Sequence, residues 1–457
     1  MFFAFLYCAG HLFEAAIAYY EITGRDRFLK AMRRFADYIQ RVVKTEKSAA
    51  LTTPGHPEIE LALMRLAKIT GETRYAELAK YFIDERGKHP EEGNFYPEWF
   101  NEYYNQDEMP LRDRSTAEGH CVRALYLLCG AADVVLAYGD DALRRACERC
   151  FDNIVQKCMY FTGGVGSSHI GETFTIDYDL PNRTAYTETC AAISLAMFAN
   201  RMLMFGVSMD GQAFFYENPL EIDPDFNDVN VSSLEKERFP ITQRVAVFTC
   251  SCCPPNLLRF IASIAGYLYT ADEDTVYVHQ YMNSQTSAGN IEIAQETAYP
   301  EDGRIRIICN ARKKRVALRI PGWCRSFRLS APYEIRNGYA YIGLHGRTEI
   351  ELELDMPVRV IAANRRVHAD AGRVVVMRGP VVYCAEGVDN GPDLRSVALD
   401  LNAAFEAVPG PFLLPSLKTT AWRPKAADAL YYEAGGELRG GSTHADSVLR
   451  LRQSRRN

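Results

Sequence analysis

A unit of two helices recurs in the first third of the chain and limits the folds that this sequence can adopt. Each copy begins with Gly-His, continues as an apolar-periodic helix, breaks at a glycine and ends in a second amphipathic helix. The three copies start at Gly10, Gly55 and Gly119. Self-similarity of this kind predicts an array of packed helix pairs. Further inner helices are predicted for "TAYTETCAAISLAMFANRML" and after Pro255, where proline suits a helix start.

The histidines His11, His56 and His120 occupy the same place in the three copies. One such histidine, taken alone, is more often a helix cap or a satisfied core residue. If the helix pairs close into a ring, however, all three point into one central cavity. A shared polar pocket of this kind suits a hydroxyl-rich ligand, and we weigh it evenly against the capping interpretation.

The pattern changes to short β-branched or alternating runs from about Tyr267, with Gly, Asn, Asp and Pro between them. These runs predict antiparallel β-structure of the sandwich type. Beyond about Pro411 the signal fades, which predicts a loosely held end. The sequence therefore predicts an α+β multidomain protein, with a helical domain at 1–270, a β-sandwich region at 271–410 and a poorly defined tail at 411–457.

Composition excludes several classes of protein. A length of 457 residues favours at least two domains, and a net charge of −6 gives no reason to expect nucleic-acid or anionic-membrane partners. The apolar opening stretch lacks a basic flank and meets His11 and Glu14 too early for a signal peptide or a spanning helix. The 13 cysteines form no small-domain disulfide framework, so we expect a reducing, cytoplasmic location in which clustered thiols serve metal binding or catalysis.

The stretch "TCSCCPPN" contains the adjacent cysteines Cys252 and Cys253, which cannot easily form a disulfide with each other. Upstream, "TETC" places Glu188 two residues before Cys190. One carboxylate and three sulfurs make a plausible tetrahedral zinc set. The alternative is a group of buried thiols near a helix start.

A second acid, Glu172, follows a glycine-rich turn in "TGGVGSSHIGETFTIDYDLPN". A single glutamate on a loop is usually only solvated. Because Glu172 lies sixteen residues before Glu188, we expect the two to be close in space.

Taken together, these motifs resemble glycoside hydrolase family 127, whose characterised type is a zinc-dependent, retaining β-L-arabinofuranosidase. The resemblance runs from about Tyr7 to about Asn390. It depends on "YCAGHLFEAAIAYY", "PGHPEIELAL", "GHCVRALYL", "GGVGSSHIGETFTIDYDLPN", "YTETCAAISLAMF", "FFYENPLE", "CSCCPPN", "LRIPGWC" and "RGPVVYCAEGVDN". It implies an (α/α)6 barrel followed by β-sandwich domains, and an oligosaccharide or glycoside as substrate.

The resemblance also implies roles for individual residues. The zinc ligands would be Glu188, Cys190, Cys252 and Cys253. Cys252 would also be the nucleophile and Glu172 the general acid/base, a role that favours a raised pKa. The substrate would be bound by His11, His56, His120 and Tyr216.

The chain departs from the family in ways that predict an N-terminal truncation. A six-hairpin barrel needs six inner helices, and only about five are recognisable in this sequence. The outer helix of the fourth hairpin is also expected to be mostly missing, so activity is expected to be impaired.

Three alternatives stay open at this point. The chain could be a related hydrolase for another sugar, a catalytically impaired carbohydrate-binding remnant with a structural zinc or, least favoured, a cysteine redox protein. The sequence does not determine the oligomeric state, and a homodimer is possible.

Overall fold

The computed structural model describes most of the chain in two compact units. The described residues are 5–50, 52–89, 102–199, 220–221, 252–288, 290–391, 394–410, 414–422 and 447–453. The helical unit comprises Met1–Phe260 with Arg365–Ala369, and the sheet unit comprises Ile261–Asn364 with Asp370–Asn457. The domain boundaries at residues 270 and 410 stay predictions.

The helical unit is built from helix pairs. Its helices are α1 (Phe5–Thr23), α2 (Arg27–Gln40), α3 (Ile59–Thr70), α4 (Thr73–Glu85), α5 (Cys121–Tyr138), α6 (Asp141–Asn153), α7 (Thr189–Ala199) and the start of α8 (Cys253–Ser263). The first three pairs match the three predicted copies. Gly71 and Gly139 end α3 and α5 in the left-handed conformation that a residue with a Cβ adopts only at a cost.

The first helix of each pair packs against the first helix of the next, so that α1 lies on α3, α3 on α5 and α5 on α7. Gly10 lets α1 and α3 approach closely, because a Cβ at this position would lie 2.9 Å from backbone atoms of Ile59. Burial of Phe13, Leu63 and Phe82 in one apolar cluster holds the first two pairs together. Each such side chain contributes about 1.5–3 kcal/mol when it leaves water.

The three Gly-His motifs are not equivalent in structure, contrary to the simple repeat. His11 lies inside α1, His56 precedes α3 and His120 is the N-cap of α5. The difference arises because α1 is already helical at Phe5, ahead of its Gly-His motif.

Among the described helices, only α5 is long and apolar enough to cross a membrane, with 18 residues and a mean hydropathy of 1.6. The fold buries 67% of that segment, however, and a core helix meets the same criteria of length and composition.

The sheet unit contains two sheets. The first has strands β1 (Tyr269–Ala271), β2 (Thr275–Val278), β3 (Ser284–Ala288), β4 (Ile291–Thr297), β5 (Arg304–Arg319), β6 (Phe327–Leu329), β7 (Glu334–Arg336) and β8 (Tyr339–Leu354). The second has β9 (Val358–Ala362), β10 (Val374–Arg378), β11 (Val381–Ala385), β12 (Ala398–Leu399), β13 (Glu406–Val408), β14 (Ser416–Trp422) and β15 (Ser447–Gln453). Its short helix is α9 (Gly387–Asn390). The described pairings are antiparallel, as predicted, except that β2 and β5 run parallel.

A bulge between Arg312 and Lys314 of β5 keeps one face of the first sheet apolar along its whole length. Before the bulge the buried residues of β5 are odd-numbered, as at Ile305 and Ile307, whereas after it the even-numbered Val316 and Leu318 are buried. Because successive strand residues point to opposite faces, one extra residue restores the apolar face after the bulge.

The stretch 411–457, for which the sequence predicted a poorly defined tail, contributes β14 and β15 to the second sheet. Leu417 of β14 and Leu451 of β15 are paired across the two strands and buried in the core of that sheet. This pairing joins segments that are far apart in sequence, so the local pattern around each strand was too short to reveal it.

Candidate active site

Three thiols and a carboxylate meet where two helices begin. Glu188 precedes α7, Cys190 lies in the first turn of α7, Cys252 precedes α8 and Cys253 is its first residue. Their potential ligand atoms all lie within 4.8 Å of one another. The Glu188 Oε1 atom is 3.5 Å from the Cys252 Sγ and 3.4 Å from the Cys253 Sγ. Helix N-termini favour anions, but the contact with Cys252 raises the pKa of Cys190 and burial raises that of Cys253, so thiolates at this location need a cation beside them.

The chemistry of this cluster fits a metal ion. Glu188 is 3% exposed, and burial raises its pKa well above the ordinary value, with further contributions from Glu172 and Cys252. Its second oxygen, Oε2, has no hydrogen-bond partner among the described residues. A bound cation would offset the electrostatic repulsion between the ionised thiols and the carboxylate, and sulfur donors favour a soft metal ion. The four residues can therefore hold a metal.

Glu172 lies beside this cluster, as expected from the sequence. Its backbone has a φ of +57°, directly after Gly171 at +70°. A left-handed conformation at a residue with a Cβ costs about 1–2 kcal/mol, and such strain is typical of functional sites. The strained turn aims the carboxylate inward, where Oε2 is 2.8 Å from the His120 Nε2 and Oε1 accepts from the Tyr186 hydroxyl at 2.6 Å.

The raised pKa that an acid/base role favours is not found for Glu172 in this structure. Burial does raise the pKa of this carboxyl group, and it is the largest single influence. The hydrogen bonds from His120 and Tyr186 outweigh it, because they stabilise the charged form, and the pKa falls below its ordinary value.

Glu188 connects the acid to the thiols. Potential ligand atoms of His120, Glu172 and Glu188 also lie within 4.8 Å of one another. The same Glu188 carboxylate therefore adjoins Glu172 and the three sulfurs, and the structure brings the predicted acid/base and the predicted metal ligands into one site.

His120 caps its helix and also contacts Glu172. Its Nδ1 accepts from the backbone N–H groups of Val122 and Arg123, at 3.2 Å and 3.4 Å, and so caps α5. Because Nδ1 is an acceptor, Nε2 carries the proton and donates it to Glu172. Burial lowers the pKa of His120 despite the attraction of Glu172, which favours the neutral ring.

The other two histidines join the same pocket through an aromatic ring. The Tyr7 ring lies 4.5 Å from that of His11 and 4.2 Å from that of His56. The His56 and His120 rings are 5.7 Å apart. The Nδ1–H of His56 donates to the Pro57 carbonyl at 2.7 Å, so its Nε2 is an acceptor. The structure thus places the three predicted histidines together, while Tyr216 lies outside the described residues.

Sequence reasoning missed three tyrosines of this site. Tyr7 is one helical turn before His11, a spacing that places both on the same face of α1. The Tyr104 ring lies 5.5 Å from that of His120, and nothing in its local sequence indicates this contact. Tyr186 could have been suspected from its position two residues before Glu188.

Models of three domains of one enzyme family match successive parts of this chain. The family model for the β-L-arabinofuranosidase GH127 catalytic domain matches residues 2–206. The GH127 middle domain matches 275–358, and the GH127 C-terminal domain matches 358–420.

Individual relatives support the same grouping. The chain is 38% identical to a non-reducing end β-L-arabinofuranosidase of Bifidobacterium longum subsp. longum, over 88% of this chain and 69% of that protein. A crystal structure of a GH127 β-L-arabinofuranosidase from Geobacillus stearothermophilus T6 has a TM-score of 0.89 and 37% identity, covering 99% of this chain and 78% of that one. A second solved structure, a GH127 β-arabinofuranosidase, has a TM-score of 0.81 and 31% identity, covering 98% and 74% of the two chains.

The helical unit, the two sheets and the carboxylate–thiol site thus define a multidomain glycosidase, an enzyme that acts on O-glycosyl bonds. The chain belongs to glycoside hydrolase family 127, which confirms the family predicted from the sequence motifs.

Proposed function

We propose that this chain is a retaining β-L-arabinofuranosidase in which Cys252 is the nucleophile and Glu172 the general acid/base. The observation that supports this proposal is the single buried site in which Glu188 adjoins both Glu172 and the thiols. The relatives are β-L-arabinofuranosidases, and the sugar in this proposal is taken from them. A glycosidase with one nucleophile and one acid/base on opposite sides of the anomeric carbon retains its configuration.

The metal in this proposal is zinc, held by Glu188, Cys190, Cys252 and Cys253. Three sulfurs and one carboxylate within 4.8 Å of one another match its preference for a tetrahedral, sulfur-rich site. When bound, zinc stabilises the thiolate form of cysteine at a pH where a free thiol is mostly protonated.

The reaction then proceeds in two balanced steps. The Cys252 sulfur forms a bond to the anomeric carbon while the bond to the leaving oxygen breaks, and Glu172 gives that oxygen its proton. In the second step Glu172 takes a proton from water, and the water oxygen displaces the sulfur from the sugar. Each step returns Glu172 to the state that the other step needs.

His120 and Tyr186 hold Glu172 for this role. Their hydrogen bonds favour the ionised form of the Glu172 carboxyl group. A sugar that displaces water from the pocket would increase the desolvation of Glu172, and desolvation raises the pKa of a carboxyl group. Substrate binding would therefore favour the protonated acid that the first step requires.

A barrel arrangement of the inner helices would surround the sugar. Successive contacts from α1 to α3, α5 and α7 support an (α/α)6 type of arrangement. The three histidines would then bind sugar hydroxyls from the wall of that barrel, since His11, His56 and His120 are joined through ring contacts.

The test is the hydrolysis of an aryl β-L-arabinofuranoside by the wild type, Cys252→Ala and Cys252→Ser. We expect both variants to lose turnover while the circular dichroism spectrum is unchanged. Cys324→Ser, in the sheet unit and half-buried, is the matched control and should keep full activity. Near-normal turnover by Cys252→Ala would remove Cys252 as nucleophile, and a panel of aryl glycosides tests whether another sugar is preferred.

The second candidate function is sugar binding without turnover, around a structural metal. The lowered pKa of Glu172 favours it, because an ionised carboxylate is a poor general acid. Wild-type protein that binds L-arabinose but hydrolyses none of the aryl glycosides would support this alternative. A cytoplasmic location and a homodimer stay predictions.

A further inference from the structure

Arg259 lies on α8. Its guanidinium contacts side chains on α1, α5 and α7 and one side chain just before α3. Its Nη1 donates to the Glu58 Oε1 at 2.7 Å, just before α3, and to the His11 Nδ1 of α1 at 3.1 Å. Its Nη2 is 3.3 Å from the Met197 Sδ of α7, and the guanidinium carbon is 5.6 Å from the centre of the Tyr126 ring of α5. One side chain thus meets α1, α3, α5 and α7 at a common point.

Glu58 fixes this guanidinium in place. The Glu58 side chain is fully buried and that of Arg259 is 20% exposed. A buried ion pair adds little net stability over apolar residues of the same volume, because desolvation offsets its attraction. Its geometry is nevertheless specific, since arginine presents its donors in a rigid planar fork. The pair is therefore better suited to fixing positions than to stabilising the fold.

The bond to His11 determines which nitrogen of that ring carries the proton. Two groups lie against the His11 Nδ1, namely the Arg259 Nη1 at 3.1 Å and the Glu58 Oε1 at 3.2 Å. The hydrogen bond is the one with Arg259, and because arginine can only donate, Nδ1 accepts it and Nε2 carries the ring proton. Burial and the charge of Arg259 lower the pKa of His11 to about 4, which keeps the ring neutral. The His11 side chain is 31% exposed, so the ring is accessible to a ligand.

His56 has the opposite proton arrangement. Its Nδ1–H donates to the Pro57 carbonyl, which leaves Nε2 as an acceptor. The Tyr7 ring lies between His11 and His56 and contacts both. The two histidines can therefore offer one donor and one acceptor to the hydroxyls of a single sugar.

We infer that Arg259 is a positioning residue that, with Glu58, holds His11 as an Nε2–H donor to a sugar hydroxyl. The role of the sugar in this inference rests on the proposed function. Helix α8 begins at Cys253, so the same contact connects the histidine on α1 to the helix that starts at one of the thiols.

The first experiment detects the tautomer without any turnover. Two-bond 15N–1H correlation spectra of 15N-histidine-labelled protein report which ring nitrogen carries the proton. The His11 signals are assigned by their loss in His11→Ala, and in the wild type they should show the proton on Nε2. In Arg259→Met this preference should be lost, and in Arg259→Lys it should be partly kept, because one ammonium cannot reproduce the fork between Glu58 and His11. Arg65→Met is the matched control, since Arg65 pairs with Glu14 and Glu21. A His11 that is protonated at Nδ1 in the wild type would overturn the inference.

The second experiment separates positioning from general damage to the fold. We expect Arg259→Met to raise KM for the aryl arabinofuranoside about tenfold or more, the effect of one lost hydrogen bond, with a smaller change in kcat. In the His11→Ala background the same substitution should add little, because interacting residues are not additive. An equal rise in KM in both backgrounds, or an unchanged KM, would contradict the inference. Wild type without turnover would instead refute the proposed function, and the tautomer spectra would still decide the role of Arg259.

If Arg259→Met does not fold, Arg259→Lys is the second variant in both experiments. Its spectrum and KM should lie between those of the wild type and His11→Ala. A lysine variant identical to the wild type in both measurements would count against a positioning role.

Discussion

The two units of this protein differ in how deeply some of their charged side chains are buried. In the helical unit, Glu58, Glu60 and Arg86 are fully buried. In the sheet unit, Arg306 pairs with Glu296 and Glu349 on the exposed face of the first sheet, above a core of apolar side chains. Charged side chains are rarely fully buried in soluble proteins, and Glu58, Glu60 and Arg86 are exceptions to that rule.

This difference indicates where stability has been exchanged for function. Burial raises the pKa of Glu58 even with Arg259 beside it, because a carboxylate loses its hydration at that position. Surface ion pairs, by contrast, typically contribute about 0–1 kcal/mol and can be lost with little consequence. Substitution of charged residues in the candidate active site is therefore expected to affect activity. Substitution of charged residues on the exposed face of the sheet is expected to affect only stability.

Removal of the metal should have the largest effect. Dialysis against a strong chelator is expected to reduce turnover of the aryl arabinofuranoside at least about a thousandfold, because a free thiol is a far weaker nucleophile than a thiolate. Zinc should restore activity and magnesium should not, since magnesium prefers oxygen ligands. Purified protein that contains no zinc and is unaffected by chelators would contradict the metal assignment.

Glu172→Gln should have the second-largest effect on activity. We expect kcat to fall about a hundredfold to ten-thousandfold, which is the usual contribution of a general acid/base. The loss should be smaller for an aryl group that leaves without protonation. Asp177→Asn is a suitable control, because Asp177 is on the same loop but pairs with Lys157 near the surface. If both variants lose activity equally, the effect comes from the loop and not from Glu172.

Tyr186→Phe should have a moderate effect with a defined direction. The Tyr186 hydroxyl donates to the Glu172 carboxylate and favours its ionised form, so the pKa of Glu172 should rise without it. The basic limb of the kcat/KM profile, where the acid loses its proton, should therefore move to higher pH. Tyr160→Phe removes a buried hydroxyl that donates to the Pro181 carbonyl, and the profile should then stay unchanged. A shift to lower pH in Tyr186→Phe would reverse the assigned role of this hydrogen bond.

Arg306→Gln should have the smallest effect. We expect the urea midpoint of unfolding to fall only slightly and the kinetics to stay unchanged, because exposed ion pairs contribute little. A loss of activity at this position would mean that charges of the sheet unit contribute to catalysis, and the contrast between the units would no longer hold.

Much of this outcome could be predicted from the sequence. The three helix pairs follow from apolar periodicity and from glycines such as Gly71 and Gly139. The metal-ligand candidates follow from uncommon combinations of residue types, as in "TETC" and "CSCC". These features are local, so a short window of residues is enough to reveal them.

The remaining features depend on contacts between distant segments. The Cys252 thiol reaches a carboxylate that is 64 residues away, and Arg259 reaches Glu58 over 201 residues. The lowered pKa of Glu172 could not be predicted from the local sequence, since His120 and Tyr186 are hydrogen-bonded to it only in the folded protein.

The sequence by itself determined which groups this protein can use: paired thiols, two carboxylates and three histidines with regular helical surroundings. Only the tertiary structure decided their protonation and their partners. The physical reason is that hydrogen-bonding capacity belongs to each side chain, whereas burial and the identity of the opposing atom are set by packing between helices.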